Sequence, residues 1–347
     1  MQSKELSFGE VTVGVDKPAV VIAELACEHR GNMDEAKRLI RAAKDAGADI
    51  AKFQLHVPEA EMVADHPDMK FWAGSMDEVL KEVNFGTKAE HGELKTYCEE
   101  VGIQYLCTPF CIAAADILEE VGVVGYKIGS GELTNLPMLR HIARYGKPMI
   151  LSTGMSVIKE IEDAVKVLTE ENVPFMLLHC LSEYPASYEH MNLGLIQELS
   201  EKFGVMTGFS DHSTEVYADV AAVALGARVI EKHFTIRDLQ GPDDIVSLDP
   251  EQFAEMVRAI RNIEAALGDT REVSSKEAET RSWAHHSIVA AQDIAEGEKL
   301  TNENLTVKRP GGGIPAAHFD PLYGDIVGKK ATRFLQKDTL LSWDDLK

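Results

Sequence analysis

From about residue 18 to residue 267, short apolar runs rich in β-branched residues alternate with stretches whose apolar positions recur at helical spacing. The strand-like runs are Ala19–Glu24, Ile50–Gln54, Gln104–Thr108, Gly125–Ile128, Met149–Ser152, Phe175–His179, Val205–Ser210 and Val229–His233. A helical stretch follows each, as in Met33–Ala46, Ile158–Thr169 and Pro250–Leu267. Asn32 and Glu35 have the spacing of a capping box, and Asp249-Pro250 sets a cap before a proline whose missing N–H costs nothing in the first helical turn. Eight strand–helix pairs in this length predict an α/β fold, a (β/α)8 TIM barrel, because a doubly wound sheet usually has fewer strands.

The pattern breaks twice. Between the second strand and its helix, His56 to Thr87 is too long for a simple loop and carries Phe71 and Trp72 among acidic residues; it reads as a lid or as a surface excursion. Past Leu267 the chain turns polar and loses apolar periodicity, so residues 1–267 are expected to form the barrel, 268–281 a linker and 282–347 a small, mostly β domain.

Charge and cysteine content narrow the classes of function. With 57 acidic against 35 basic side chains, the net charge of −22 argues against nucleic acid or an anionic membrane as partner. No window approaches a membrane span and the amino terminus lacks a signal-like apolar stretch, so the expected compartment is the cytoplasm. Five scattered cysteines read as reduced thiols; Cys107 and Cys111 lack the second pair that would complete a metal site.

In such a barrel the working residues stand at the carboxyl ends of the strands. Here those positions are polar throughout: Glu24 and His29; Lys52 and Gln54; Thr108; Lys127, Ser130 and Glu132; Ser152 and Thr153; His179, Ser182 and Tyr184; Ser210, Asp211 and His212; His233. A barrel core has no use for such a series, so this face is expected to be an active site. His212 and His233 end consecutive strands, a spacing suited to a divalent metal with Glu24 as an oxygen ligand, or to acid–base work. Lys52 and Lys127, with Ser130, Ser152 and Ser210, suit a phosphate or carboxylate.

Several ordered motifs make the chain recognisable: Ala23-Glu24 with His29-x-Gly31, Lys52-Phe-Gln54, Thr108-Pro-Phe110, Tyr126-Lys-Ile-Gly-Ser-Gly-Glu132, Leu178-His-Cys180 with Tyr184-Pro185, Gly208-Phe-Ser-Asp-His212, Glu231-Lys-His-Phe234, Gly241-Pro-Asp243 and Lys308-Arg-Pro-Gly311. In these it resembles the sialic acid (N-acetylneuraminate) synthase family, including the legionaminic and pseudaminic acid synthases, over almost its whole length. The resemblance implies a barrel joined to a C-terminal antifreeze-like (SAF) domain, and a reaction in which phosphoenolpyruvate, N-acetylmannosamine or a related N-acylated amino sugar, and water give a nonulosonic acid and phosphate. The alternative acceptor is a 2,4-diacetamido-trideoxyhexose, as in legionaminic or pseudaminic acid synthesis.

By the same resemblance His212 and His233 would hold Mn2+ or another divalent cation. Lys52, Lys127, Ser130, Ser152, Ser182 and Ser210 would contact phosphoenolpyruvate, and Glu24, Gln54, Tyr184, Asp243 and Arg309 the sugar. Glu24, Glu132 and Asp243 would be catalytic. Arg309 would reach the barrel of a partner subunit in a domain-swapped homodimer. One departure falls near the acceptor: where relatives commonly carry Asn-His-Asn-Gly, this chain has Glu28-His-Arg-Gly31, which adds two charges. Two other classes of function compete. Lys52 or Lys127 could act as the Schiff-base nucleophile of a pyruvate aldolase, or residues 282–347 could be a carbohydrate- or ice-binding module, against which the irregular spacing of Thr301, Thr306, Thr332 and Thr339 speaks.

Overall fold

The computed structural model describes residues 4–63, 80, 83–239, 241, 243–268 and 270–347. They fall into two compact units, Met1–Gly268 and Asp269–Lys347. The first opens with an antiparallel hairpin, β1 (Glu5–Phe8) and β2 (Val11–Gly14). Eight strands follow: β3 (Val20–Ala26), β4 (Ile50–Leu55), β5 (Gln104–Pro109), β6 (Tyr126–Ile128), β7 (Met149–Ser152), β8 (Phe175–Cys180), β9 (Thr207–Asp211) and β10 (Val229–His233). Their hydrogen-bonded order is β5-β4-β3-β10-β9-β8-β7-β6, the ladders are parallel, and β5 and β6 lie side by side, so the sheet curls into the expected barrel.

The helices that alternate with the strands pack by their apolar stripes. In α1 (Met33–Asp45) Ala36, Leu39, Ile40 and Ala43, spaced by three or four, are the buried positions. Asn32 does cap it, accepting from Asp34 N and Glu35 N, but Glu35 pairs with Arg38 one turn on instead of returning to the cap, whose own N–H is taken by His29 O. The last barrel helix, Pro250–Ala266, has the full box, with Asp249 accepting from Glu251 N and Gln252 N and Gln252 reaching back.

Alternate strand residues line the lumen. Its apolar floor is Val20, Ile22, Ile50, Leu106, Ile150, Met176, Leu178, Met206 and Val229, and the hairpin supplies Leu6, Phe8 and Val13 to the same cluster. The hairpin thus plugs the amino-terminal end, a role that four-residue strands do not announce in the sequence. Phe8 is fully buried and lies against Gly125, where a Cβ would meet its ring at 2.6 Å. Phe8→Ala is expected to cost about 3–5 kcal/mol, measured as a lower urea midpoint for loss of far-ultraviolet circular dichroism.

The second unit pairs Ser287–Ala290 antiparallel with Leu305–Lys308 over a core that includes Ile288, Ile294, Leu300, Ile326 and Leu335. Much of the run read as a linker is helix, Ser275–Ala284, capped by Ser274 and with none of its residues buried. Within the long excursion Pro58–Glu61 forms one helical turn, while Phe71 and Trp72 lie outside the described residues. No described helix is long and apolar enough to cross a membrane.

Candidate active site

Moving up the lumen, the inward positions change character. Val20 and Ile22 give way to Glu24, Ile50 to Lys52 and Gln54, Leu106 to Thr108, Ile150 to Ser152, Met206 to Ser210, and Val229 to Glu231 and His233. The register sets these side by side: Glu24 is level with Lys52 and with His233, and Ser210 with Glu231. An apolar floor under charged groups keeps the local dielectric low and strengthens each interaction above it.

Two ammonium groups and two carboxylates meet in that layer. Lys52 pairs with Glu24, lies 3.6 Å from Glu231 and donates to Thr108 Oγ1 at 3.1 Å. Lys127 donates to Ser152 Oγ at 2.8 Å and lies 3.3 Å from the other Glu231 oxygen, which also accepts from Ser210 Oγ at 2.9 Å. All four charged groups are at most 5% exposed. Burial pushes Glu231 up, but Lys127 and Lys52 outweigh it and hold the carboxylate at about 2. Burial likewise pushes Glu24 up, with Lys52 opposing. Burial favours a neutral Lys52, yet Glu231 and Glu24 overcome it and raise its pKa, so it stays an ammonium ion; an aldolase nucleophile needs the free amine.

Beside this layer Ser130, Ser182 and Cys180 crowd around Gly154. Its N–H donates to Ser130 Oγ at 3.1 Å, and a Cβ there would lie 2.4 Å from Ser182 Oγ and 2.7 Å from Ser130 Oγ. Only glycine leaves these hydroxyls room next to the Lys127–Ser152 pair. Glu132 closes the Gly129-Ser130-Gly131 turn; burial, aided by Glu61, pushes it up to about 7, and its Oε2 is buried without a hydrogen-bond partner.

The imidazoles of His212 and His233 stand 5.4 Å apart between ring centres. Tyr184 stacks on His212 at 4.0 Å and places its hydroxyl 2.9 Å from Nε2, while His212 Nδ1 donates to Leu181 O at 2.8 Å. His233 Nδ1 is buried with no hydrogen-bond partner and lies 3.6 Å from Asp243 Oδ2. Burial first, then His212 and Lys52, push His233 well below the ordinary histidine range and keep it neutral, the form that binds metal. Burial lowers His212 too, but Cys180 outweighs it and its pKa rises. Among the described residues no group of three or more His, Cys, Asp or Glu side chains is placed to hold a metal ion. What the residues offer an ion is the two imidazoles, one of them with the unpartnered Nδ1 of His233, so a divalent ion here would take its remaining ligands from substrate oxygen or water.

Four expected members stand apart, the first being Asp211, which pairs with the outward-turned, buried Lys232. His179 has the opposite strand phase: it bonds Met191 O at 2.6 Å and stacks on Phe209 in the helix-facing layer. His29 accepts from Gly31 N at 3.1 Å and stacks on Phe85, and burial brings it down to about 3, which makes it a packed neutral ring. Arg309 is exposed in the second unit, 5.8 Å over Trp283. Glu231 was absent from the expected set, although its two-residue spacing from His233 gives it the same inward phase. Cys107 and Cys111 are free, buried thiols.

Comparison with known proteins gives a consistent picture. The NeuB family profile matches residues 39–272 and the SAF domain profile residues 285–347. The chain is 38% identical over 336 residues to N,N′-diacetyllegionaminic acid synthase of Campylobacter jejuni, covering 94% of this chain and 99% of that protein. It is 36% identical over 338 residues to the pseudaminic acid synthase of the same organism, covering 95% and 97%. Among solved structures, N-acetylneuraminic acid (sialic acid) synthetase of Leptospira borgpetersenii aligns with a TM-score of 0.72 at 35% identity, over 80% of this chain and 95% of that one.

Proposed function

The chain belongs to the NeuB family, and from that premise we propose that it is a cytoplasmic nonulosonic acid synthase joining phosphoenolpyruvate to an N-acylated amino sugar. The observation that carries this reading is the buried layer of Lys52, Lys127, Glu24 and Glu231 facing the His212–His233 pair inside one lumen. Phosphoenolpyruvate brings a phosphate and a carboxylate, and the two ammonium groups with the Ser130, Ser152, Ser182 and Ser210 hydroxyls are the donors for them.

His212 and His233 would hold Mn2+ or another divalent cation, which supplies Lewis acidity toward the aldehyde oxygen of the open-chain sugar. Gln54, Tyr184 and Asp243 orient that sugar. The enol carbon of phosphoenolpyruvate bonds to the aldehyde carbon as the aldehyde π bond opens and its oxygen takes up a proton; water adds to the neighbouring carbon as positive charge develops there, losing a proton, and the C–O bond to phosphate breaks as the new hydroxyl gives up its remaining proton and becomes the keto oxygen. Glu24 or Asp243 takes the water's proton, and Lys52 and Lys127 stay on the anions throughout, so orientation and preorganised charge supply the rate.

Glu132, beside Lys127, favours the developing positive charge only when ionised. With its pKa pushed up to about 7, kcat/KM is expected to climb as pH rises through that value in the wild type, and Glu132→Gln to lose that limb.

Two acceptors are in play. N-acetylmannosamine follows from the sequence resemblance, while the 38% identity to N,N′-diacetyllegionaminic acid synthase favours a 2,4-diacetamido-trideoxyhexose. Exposed Met155, Val157, Tyr188, Tyr217 and Ile245, in the segments that follow β7 to β10, support a partner subunit covering the mouth and bringing its own Arg309. The test is phosphate release from phosphoenolpyruvate by chelator-stripped protein, with and without Mn2+, offered each acceptor in parallel. Release that requires metal and one acceptor supports the reading and identifies the product; silence with every acceptor in folded protein overturns it.

A further inference from the structure

Glu28 is fully buried, 0% exposed, in the turn after β3. One carboxyl oxygen accepts from Asp243 N at 2.9 Å and the other from Thr235 Oγ1 at 3.1 Å. Gly241 backs directly onto the same group: a Cβ there would stand 2.1 to 2.6 Å from the three carboxyl atoms. Thr235 comes just after β10, so the carboxyl group grips the segment that leaves His233 at its start and again at Asp243. Nothing in the reaction as derived above uses Glu28, and its burial is costly: desolvation pushes it up to about 7 although the Asp243 N–H and the Thr235 hydroxyl oppose the rise. A group kept there against that cost, and bound to the backbone of a residue whose side chain stands 3.6 Å from His233 Nδ1, fixes geometry.

We propose that Glu28 is a positioning residue that locks the Asp243 segment against the end of β3 and thereby sets where the Asp243 carboxylate meets the acceptor and the attacking water. The inference rests on the synthase reading given above. It predicts a selective effect, because the phosphoenolpyruvate donors Lys52, Lys127 and Ser152 make no contact with Glu28 among the described hydrogen bonds.

The experiment pairs steady-state kinetics with hydrogen exchange on the full chain, for wild type, Glu28→Ala and Glu28→Gln. Glu28→Ala is expected to lower kcat about 10- to 100-fold while the KM for phosphoenolpyruvate stays within about twofold. Glu28→Gln, which keeps the length and one acceptor oxygen, is expected to recover most of kcat. Independently of turnover, the peptide containing Asp243 should exchange faster in Glu28→Ala, while the peptides of β4 and β6 remain unchanged. Unchanged kcat and unchanged exchange at Asp243 in folded Glu28→Ala would overturn the proposal, as would a rise in the KM for phosphoenolpyruvate matching the fall in kcat. If the wild type releases no phosphate with any acceptor, the synthase reading fails, and exchange at Asp243 still decides whether Glu28 holds the segment.

Discussion

Lys127→Met is expected to reduce kcat/KM for phosphoenolpyruvate by about 10²- to 10³-fold, the loss that follows removal of one preorganised donor from a developing anion in a dry site. The lysine reaches both Ser152 Oγ and Glu231, so the substitution removes a ligand donor and also breaks a buried charge cluster. The two effects separate. Without Lys127, Glu231 keeps Lys52, at 3.6 Å, and the Ser210 hydroxyl against the desolvation that pushes it up. Leaving a buried charge undercompensated costs about 3–5 kcal/mol of stability. Adding Glu231→Gln removes that charge while keeping an acceptor for Ser210, so the double variant is expected to regain most of the stability and none of the activity. Urea unfolding and phosphate release, measured on the same preparations, check both halves. A folded Lys127→Met enzyme with near-normal kcat/KM would sink the assignment of the anion site.

The same cluster shows what the sequence could and could not reveal. The eight barrel strands were legible because short apolar stretches, buried on both faces, recur between helix-spaced stretches even where polar residues interrupt them, as in β9 and β10, and the observed bounds differ from the predicted ones by at most two residues at either end. Within strand ends, residue type was legible and direction was not. Glu231-Lys232-His233 reads as a charged run, yet its phase alternates: Glu231 and His233 enter the lumen, while Lys232 turns outward and is fully buried against Asp211, Ser213 O at 2.6 Å and Glu215 O at 2.9 Å. His179 and His212 both looked like rim imidazoles, and only phase assigns the first to the helix layer. Glu28 marks a different limit. Its two charges with Arg30 were visible as a departure near the acceptor, but its partners Thr235 and Asp243 lie more than 200 residues away, and only the closed ring brings β10 beside β3.

Metal dependence gives the second large effect. Chelator-stripped protein is expected to lose activity and regain it with Mn2+, whereas His233→Ala should not be rescued at Mn2+ concentrations that saturate the wild type. Losing even an outer partner of a metal ligand costs about 10- to 100-fold in affinity, so losing the ligand itself should exceed that range. The two histidines should behave differently. His233 is already neutral and its Nδ1 is unpartnered, so its replacement removes a donor and disturbs no described hydrogen bond. His212 is tied at both nitrogens, to Leu181 O and to the Tyr184 hydroxyl, and its raised pKa means that a proton competes with metal to higher pH than at an ordinary imidazole. Mn2+ affinity should therefore increase with pH through the range where His212 gives up that proton. Tyr184→Phe keeps the ring stacked on His212 but removes the hydroxyl facing Nε2, and is expected to bind Mn2+ at least as tightly while turning over more slowly. Electron paramagnetic resonance of free Mn2+ during titration reads affinity without turnover. If His233→Ala binds Mn2+ as well as the wild type does, the imidazole pair is no metal centre.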